Sequence, residues 1–147
     1  MPVIVVGADT ATGRRIVNSL LTRGGEVRAF VSDAAVVRDL KRRGVKVAIG
    51  DVSDGSHIGG AALNAFTAVL VAEATDDGRE RSFAADPSQV VANWAEGLED
   101  AGVTRAIWLG DQVPAEIAAA VTESVAVPDG PNAADTICEL DDRRTLP

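Results

Sequence analysis

The seven residues Gly7-Ala8-Asp9-Thr10-Ala11-Thr12-Gly13 have the spacing in this chain best suited to chemistry. An apolar run, Val3 to Val6, stops at Gly7, and a helical pattern with Ile16, Val17, Leu20 and Leu21 on one face begins beyond the loop. A glycine turn between a strand and a helix can cradle a pyrophosphate. One glycine makes the tight turn, a second lets backbone approach the phosphates, and a third allows close helix packing. Gly7 and Gly13 stand at the first and third positions, and Thr10 occupies the middle one. The Asp9 carboxylate or the Thr10 hydroxyl can accept the free amides at the helix start, which an anion would otherwise occupy. The loop is therefore expected to cap its own helix. The alternative leaves Asp9 in solvent and the amides open to weak phosphate binding. Gly7, Asp9, Thr10, Thr12 and Gly13 are the candidate contacts with such a ligand.

Other reactive side chains are sparse. The single histidine, His57, falls in the first turn of a helical segment and reads as a surface residue. The single cysteine, Cys138, has no histidine near it in sequence, and its solitude excludes an internal disulfide or a CxxC site. Trp94 and Trp108 lie at core spacings. The acids Asp9, Asp51, Glu73, Asp76, Asp77 and Asp111 all fall at or beyond the carboxyl ends of apolar runs. Two unit charges 4 Å apart interact by about 1 kcal/mol in water and about 4 kcal/mol at an effective dielectric of 20, so these acids oppose a pyrophosphate. Arg14 and Arg15 can offset part of that opposition. The same acids could instead gather a divalent or organic cation, although sequence spacing sets no coordination geometry.

The elements that must position these residues follow in order. Glu26 to Val31 reads as a second strand after the stop at Gly24-Gly25, and Ser32 or Asp33 caps a helix that runs to about Arg43. Val45 to Ile49 is a third strand, and a weaker helix near His57 to Ala65 follows, weakened by Gly59 and Gly60. Thr67 to Ala72 is a fourth strand, apolar enough to be covered on both faces. Residues 73–86 have no apolar period and are expected to form a mobile loop. Pro87 then opens a helix with Val90, Val91, Trp94 and Leu98 on one stripe. Ala106 to Leu109 and Glu123 to Val127 are the last strands, separated by a short helix, Pro114 to Val121. One short helix through Ile137 and Leu140 precedes a tail expected to fray at residues 141–144. Strands alternating with helical crossovers imply an α/β, doubly wound parallel sheet of about six strands, order 3-2-1-4-5-6, with ligands at the carboxyl ends of the strands. The expected organisation is a single Rossmann-like domain over residues 1–131 with a partly flexible C-terminal extension, 132–147.

With 147 residues and a formal charge of -8, the chain is about one domain long and acidic. Nucleic acid and anionic membrane are excluded as partners, because either needs a basic patch; the longest basic cluster, Lys41-Arg42-Arg43, ends a helix, where cations complement the dipole. Without an N-terminal secretory pattern or an apolar span of membrane length, the chain reads as soluble and cytoplasmic.

Across residues 2 to 114, the segments GADTATGRRIV, EVRAFVSD, VKVAIGDVSD, TAVLVAEA and AGVTRAIWLG resemble the NmrA-like, atypical short-chain dehydrogenase/reductase group, in order and in spacing. SVAVPDG is similar to a worn form of that group's sixth strand. The resemblance implies nicotinamide dinucleotide binding, with Gly7 and Gly13 beneath the pyrophosphate, Ser32 and Asp33 at the adenosine ribose, and Asp51 with Val52 beside adenine. Ser32 stands where members that use NADP often have arginine, so NAD is expected over NADP. Asp33, about 20 residues beyond Gly13, is at the separation where an acid bonds a ribose 2′-hydroxyl, and it is equally a good helix N-cap. The group's proton relay uses a tyrosine, a lysine four residues on and a serine near strand 5. This chain has no tyrosine, its lysines are Lys41 and Lys46, and Gly110 and Asp111 occupy the serine's place. No catalytic residue is assigned. The expectation is a non-catalytic, nucleotide-sensing or protein-interaction module that self-associates, with an NAD-dependent oxidoreductase as the alternative. A site completed by a partner subunit is the third possibility.

Overall fold

Side chains alternate along β1 (Val3–Val6), sending Val3 and Val5 to one face of the sheet and Ile4 and Val6 to the other. Both faces are covered. In the computed structural model, which describes residues 1–147, six parallel strands lie in the order 3-2-1-4-5-6, as the alternation of elements predicts. The others are β2 (Val27–Val31), β3 (Lys46–Ile49), β4 (Thr67–Val71), β5 (Arg105–Leu109) and β6 (Glu123–Val127). On one face the core is closed by α1 (Ala11–Leu21), α2 (Val37–Arg42) and α6 (Ala133–Asp142) through Ile16, Val17, Leu20, Leu40 and Ile137. The other face packs on α3 (Gly55–Ala61), α4 (Pro87–Ala101) and α5 (Ala115–Ala120) through Ile58, Val90, Trp94, Leu98 and Ile117.

Local chemistry sets the ends of these helices. Asp54 accepts the amide of His57, so α3 starts at Gly55, ahead of the start that its apolar residues suggest. Asp86 accepts the amide of Gln89, Pro87 opens α4, and Gly102 closes it at φ 72°. Of the two glycines that lower α3 helix propensity, Gly59 has a packing use, whereas a Cβ at Gly60 would meet nothing within 4 Å. A Cβ at Gly97 of α4 would lie 2.4 Å from the Gly55 carbonyl oxygen, and one at Gly59 would lie 3.0 Å from the Gly97 carbonyl oxygen, so the two backbones touch. Trp94 and Trp108 are both core residues, with ring centroids 6.2 Å apart.

At the opposite edge of the sheet from the glycine loop, Arg105 is fully buried. Its Nε donates to Glu123 at 2.7 Å and its Nη1 to the Leu140 carbonyl at 2.6 Å, beneath the Phe66 ring. Residues 132–147 contain α6, which packs on α1; Asp141 and Asp142 both pair with Arg23, and the Leu146 amide donates to Glu123. These contacts fix the side of the domain away from the candidate site. No helix is long and apolar enough to cross a membrane.

Candidate functional site

The turn after β1 is built by Gly7 at φ 88°, a conformation that favours glycine, and by the close approach of Gly13. A Cβ on Gly13 would lie 2.2 Å from the Gly7 carbonyl oxygen. Thr10 caps α1: its Oγ1 accepts the Gly13 amide at 2.9 Å and donates to the Gly7 carbonyl at 2.8 Å. The loop thus caps its own helix through Thr10 and not through Asp9. The next two amides, of Ala11 and Thr12, find no acceptor in the chain. Thr12 directs its hydroxyl to the Asp129 carboxylate at 3.2 Å and receives Arg15 at 3.1 Å, joining the loop to the turn after β6.

Asp9 does something the sequence does not reveal. Its Oδ2 accepts the amides of Ser32 and Asp33, at 2.8 and 3.0 Å, and its Oδ1 lies 3.0 Å from Nη1 of Arg79. That second contact is one of charge, because Oδ1 has no aligned hydrogen bond. The Asp9 carboxylate is therefore turned across the end of β2 and away from the helix start. Its charge is balanced by Arg79, which corrects the expectation that it fills the phosphate position.

A cleft of about 540 Å³ opens over the carboxyl ends of β1, β2 and β3, lined by Asp9, Ser32, Asp33, Gly50, Asp51, Asp77, Gly78, Arg79 and Glu80. Asp33 uses Oδ1 to accept the Ala35 amide, starting the 3-10 turn Ala34–Val36, so it is a cap and a cleft wall at once. Val52 faces the other way: its side chain is in the core and its carbonyl accepts Trp94 Nε1 at 2.7 Å. His57 is exposed, edge-on to Phe30 and close behind Gly50. Of the acids singled out from sequence, Asp9, Asp51 and Asp77 reach this cleft, whereas Glu73, Asp76 and Asp111 are exposed outside it. No group of three His, Cys, Asp or Glu side chains is arranged to hold a metal ion.

The stretch after β4 roofs the cleft. It begins as a 3-10 turn, Ala72–Thr75, and is tied down at its far end. The Ser82 amide donates to Asp51 at 2.7 Å, the Phe83 amide to Ser53 Oγ at 2.9 Å, and Asn93 Nδ2 of α4 reaches the carbonyls of Ser53 and Phe83. Burial raises the pKa of Asp51, but hydrogen bonds from Ser53 and Ser82 outweigh it and hold the group below the usual carboxylate value. Nearer the cleft, Arg79 meets Asp77 with both Nε and Nη2 at 2.8 Å and approaches Ser32 Oγ at 3.3 Å. Arg81 also bonds Asp77, at 3.0 Å. Burial pushes the pKa of Arg79 down and that of Asp77 up. Their mutual pairing, with Asp9 beside Arg79 and Arg81 beside Asp77, reverses both, leaving the guanidinium above its ordinary value and the carboxylate below. Sequence reading finds no cation at the end of β2; the fold brings one there from the β4 loop.

A parallel sheet of this order with a glycine turn under the first helix defines a fold of the Rossmann type. The chain belongs to the NAD(P)H-binding family, which it matches over residues 7–126. No curated protein sequence matches it significantly. Among solved structures it is similar in fold to the triphenylmethane reductase of Citrobacter sp. (TM-score 0.69, 16% identity, 86% of this chain and 48% of that one). It is also similar to the NADPH-dependent quinone oxidoreductase of Escherichia coli in complex with NADPH (TM-score 0.59, 18% identity, 74% and 36%). An anaerobillin reductase of Escherichia coli O157:H7 is a third (TM-score 0.59, 21% identity, 82% and 59%). These matches agree with the expected Rossmann-like fold. The chain spans about half the length of the first of them and 36% of the second.

Proposed function

We propose that this chain is the cofactor-binding part of an NAD(H)-dependent oxidoreductase. The observation that carries this reading is the turn of Asp9 away from α1, which leaves the amides of Ala11 and Thr12 free above the Gly7 and Gly13 turn. Two unpartnered amides at a helix N-terminus suit one phosphate of a pyrophosphate. The cleft at the ends of β2 and β3 suits an adenosine, with Asp33 placed for the ribose hydroxyls and Asp51 at the adenine side. When bound, the nicotinamide supplies the hydride. The chain's own residues hold and orient it: the loop fixes the phosphates, and residues 77–80 wall the adenosine end. Five acids and one arginine line the cleft, which favours a ribose with a free 2′-hydroxyl over one with a phosphate.

A second reading, a nucleotide-responsive module without catalysis, is favoured by Thr10, whose hydroxyl occupies the Gly13 amide, and by the sequence's lack of tyrosine. Calorimetric titration with NADH and NADPH, followed by NADH oxidation assays with a quinone and a triphenylmethane dye as acceptors, separates the two. Saturable NADH binding with turnover supports the oxidoreductase. Binding without turnover supports the module, and sedimentation with and without NADH then tests for a partner copy. No binding up to millimolar NADH or NADPH overturns both readings.

A further inference from the structure

We propose that Asp77 determines which nicotinamide cofactor the cleft accepts, by keeping Arg79 engaged. The inference rests on the reading that this cleft holds the adenosine end of the dinucleotide. In sheets of this topology the ribose 2′ position lies at the end of the second strand, where an acid reads a hydroxyl and a nearby arginine accommodates a 2′-phosphate. Arg79 is the only basic residue lining the cleft, and its Nη1 lies 3.3 Å from Ser32 Oγ, at that strand end.

The guanidinium is in the right place for a phosphate and is committed elsewhere. Nε and Nη2 form a two-pronged contact with the Asp77 carboxylate, each at 2.8 Å, and Nη1 is held between Asp9 and Ser32. The pairing is local. Asp77 and Arg79 flank Gly78, and the Arg79 amide also donates to Asp77 Oδ1, so a single tight turn presents both partners to each other. Fork-shaped arginine–carboxylate pairs fix geometry as well as charge, and Arg79 is three-quarters or more buried, so little water competes for it. A 2′-phosphate entering this wall would meet Asp9, Asp33 and Glu80, with the guanidinium fork already turned to Asp77. A 2′-hydroxyl needs only an acceptor, which Asp33 Oδ2 provides, because Asp33 caps Ala35 with Oδ1. Selection between the two cofactors thus falls to a residue of the β4 loop.

The test uses the full chain and the two adenosine halves, ADP and 2′,5′-ADP, alongside NADH and NADPH, by calorimetry. Wild-type protein is expected to bind ADP and NADH more tightly. In Asp77→Asn one acid is neutralised and Arg79 released, and the ratio is expected to move toward 2′,5′-ADP and NADPH by about tenfold or more, the worth of a released charged hydrogen bond. Asp77→Glu, which keeps the charge and the fork, should retain the wild-type ratio, and Asp77→Asn with Arg79→Ala should lose the shift. A wild-type protein that favours 2′,5′-ADP overturns the inference without any variant, so it remains testable even if Asp77→Asn does not fold. ADP binding with a ratio unchanged in Asp77→Asn overturns it while leaving the cofactor reading intact. Failure of every probe to bind overturns that reading and this inference together.

Discussion

Asp9 and Arg79, from the loops after β1 and β4, meet 3.0 Å apart with side chains only 4% and 12% exposed. Through the second Asp9 oxygen the same contact reaches the amides of Ser32 and Asp33 at the end of β2. One carboxylate therefore joins three neighbouring strand ends. Asp9→Ala would leave two amides without their acceptor and a buried guanidinium short of one of its counter-charges. Urea denaturation should report a loss of about 2 to 4 kcal/mol. A loss below about 0.5 kcal/mol, the level of an ordinary surface substitution, would mean that the joint does not support the fold.

Thr10 covers the Gly13 amide at the start of α1. Thr10→Gly removes the cap at a cost of only about 0.5 kcal/mol, because glycine is itself a tolerable N-cap. It also returns the Gly13 amide to any phosphate in the loop. The expected result is NADH bound about tenfold more tightly, one charged hydrogen bond's worth. Equal or weaker binding in a folded Thr10→Gly protein would place the phosphates away from this loop.

The contact between α3 and α4 separates glycines that pack from those that do not. Gly97→Ala puts a methyl 2.4 Å from the Gly55 carbonyl oxygen, so one helix must move, with an expected loss of about 2 kcal/mol or more. Gly60→Ala in α3 meets nothing within 4 Å and should gain about 0.5 to 1 kcal/mol from helix propensity and a stiffer unfolded chain. Thermal melts of the two variants should move in opposite directions. A shared direction would contradict the close approach of these backbones.

Acid should destabilise the fold through a few identified carboxylates. Asp51 and Asp77 titrate below their ordinary 3.8 because hydrogen bonds and arginines outweigh burial. Glu123 titrates below 4.5 through the Leu146 amide, against a smaller effect of burial and with help from Arg105. A carboxylate with a lowered folded pKa is protonated first in the unfolded chain, so acidification pulls the equilibrium toward unfolding. These groups' contribution is complete above about pH 5 and declines as pH falls through about 4 toward their folded values. Urea midpoints are expected to agree at pH 7 and pH 5 and to fall at pH 3, less so in Asp77→Asn. A midpoint unchanged at pH 3 would show that these pairs do not stabilise the native state.

How much of this was legible in the residues varies with the range of the interaction. Val3 to Val6 followed by Gly7, and the recurrence of apolar runs with helical crossovers, predict the six-strand order. Burial on both faces of the sheet leaves its mark in the composition of the inner strands β1, β4 and β5. The Thr10 cap and the Asp33 cap were readable too, because each acts within three residues. Residues 73–86 gave no such sign. Their anchors, Asp51, Ser53 and Asn93, belong to other segments, and a polar loop fastened by distant partners has the same composition as an unfastened one.

The sequence by itself determined the layered sheet and the placing of a glycine turn at its first strand end, since these follow from periodicity and residue type. Only the tertiary structure decided that Asp9 turns across β2, and that Arg79 arrives beside Ser32 while held by Asp77. The reason is that charge pairing depends on separations of a few ångströms between loops, and no spacing along the chain records which strand ends will be neighbours until the sheet has closed.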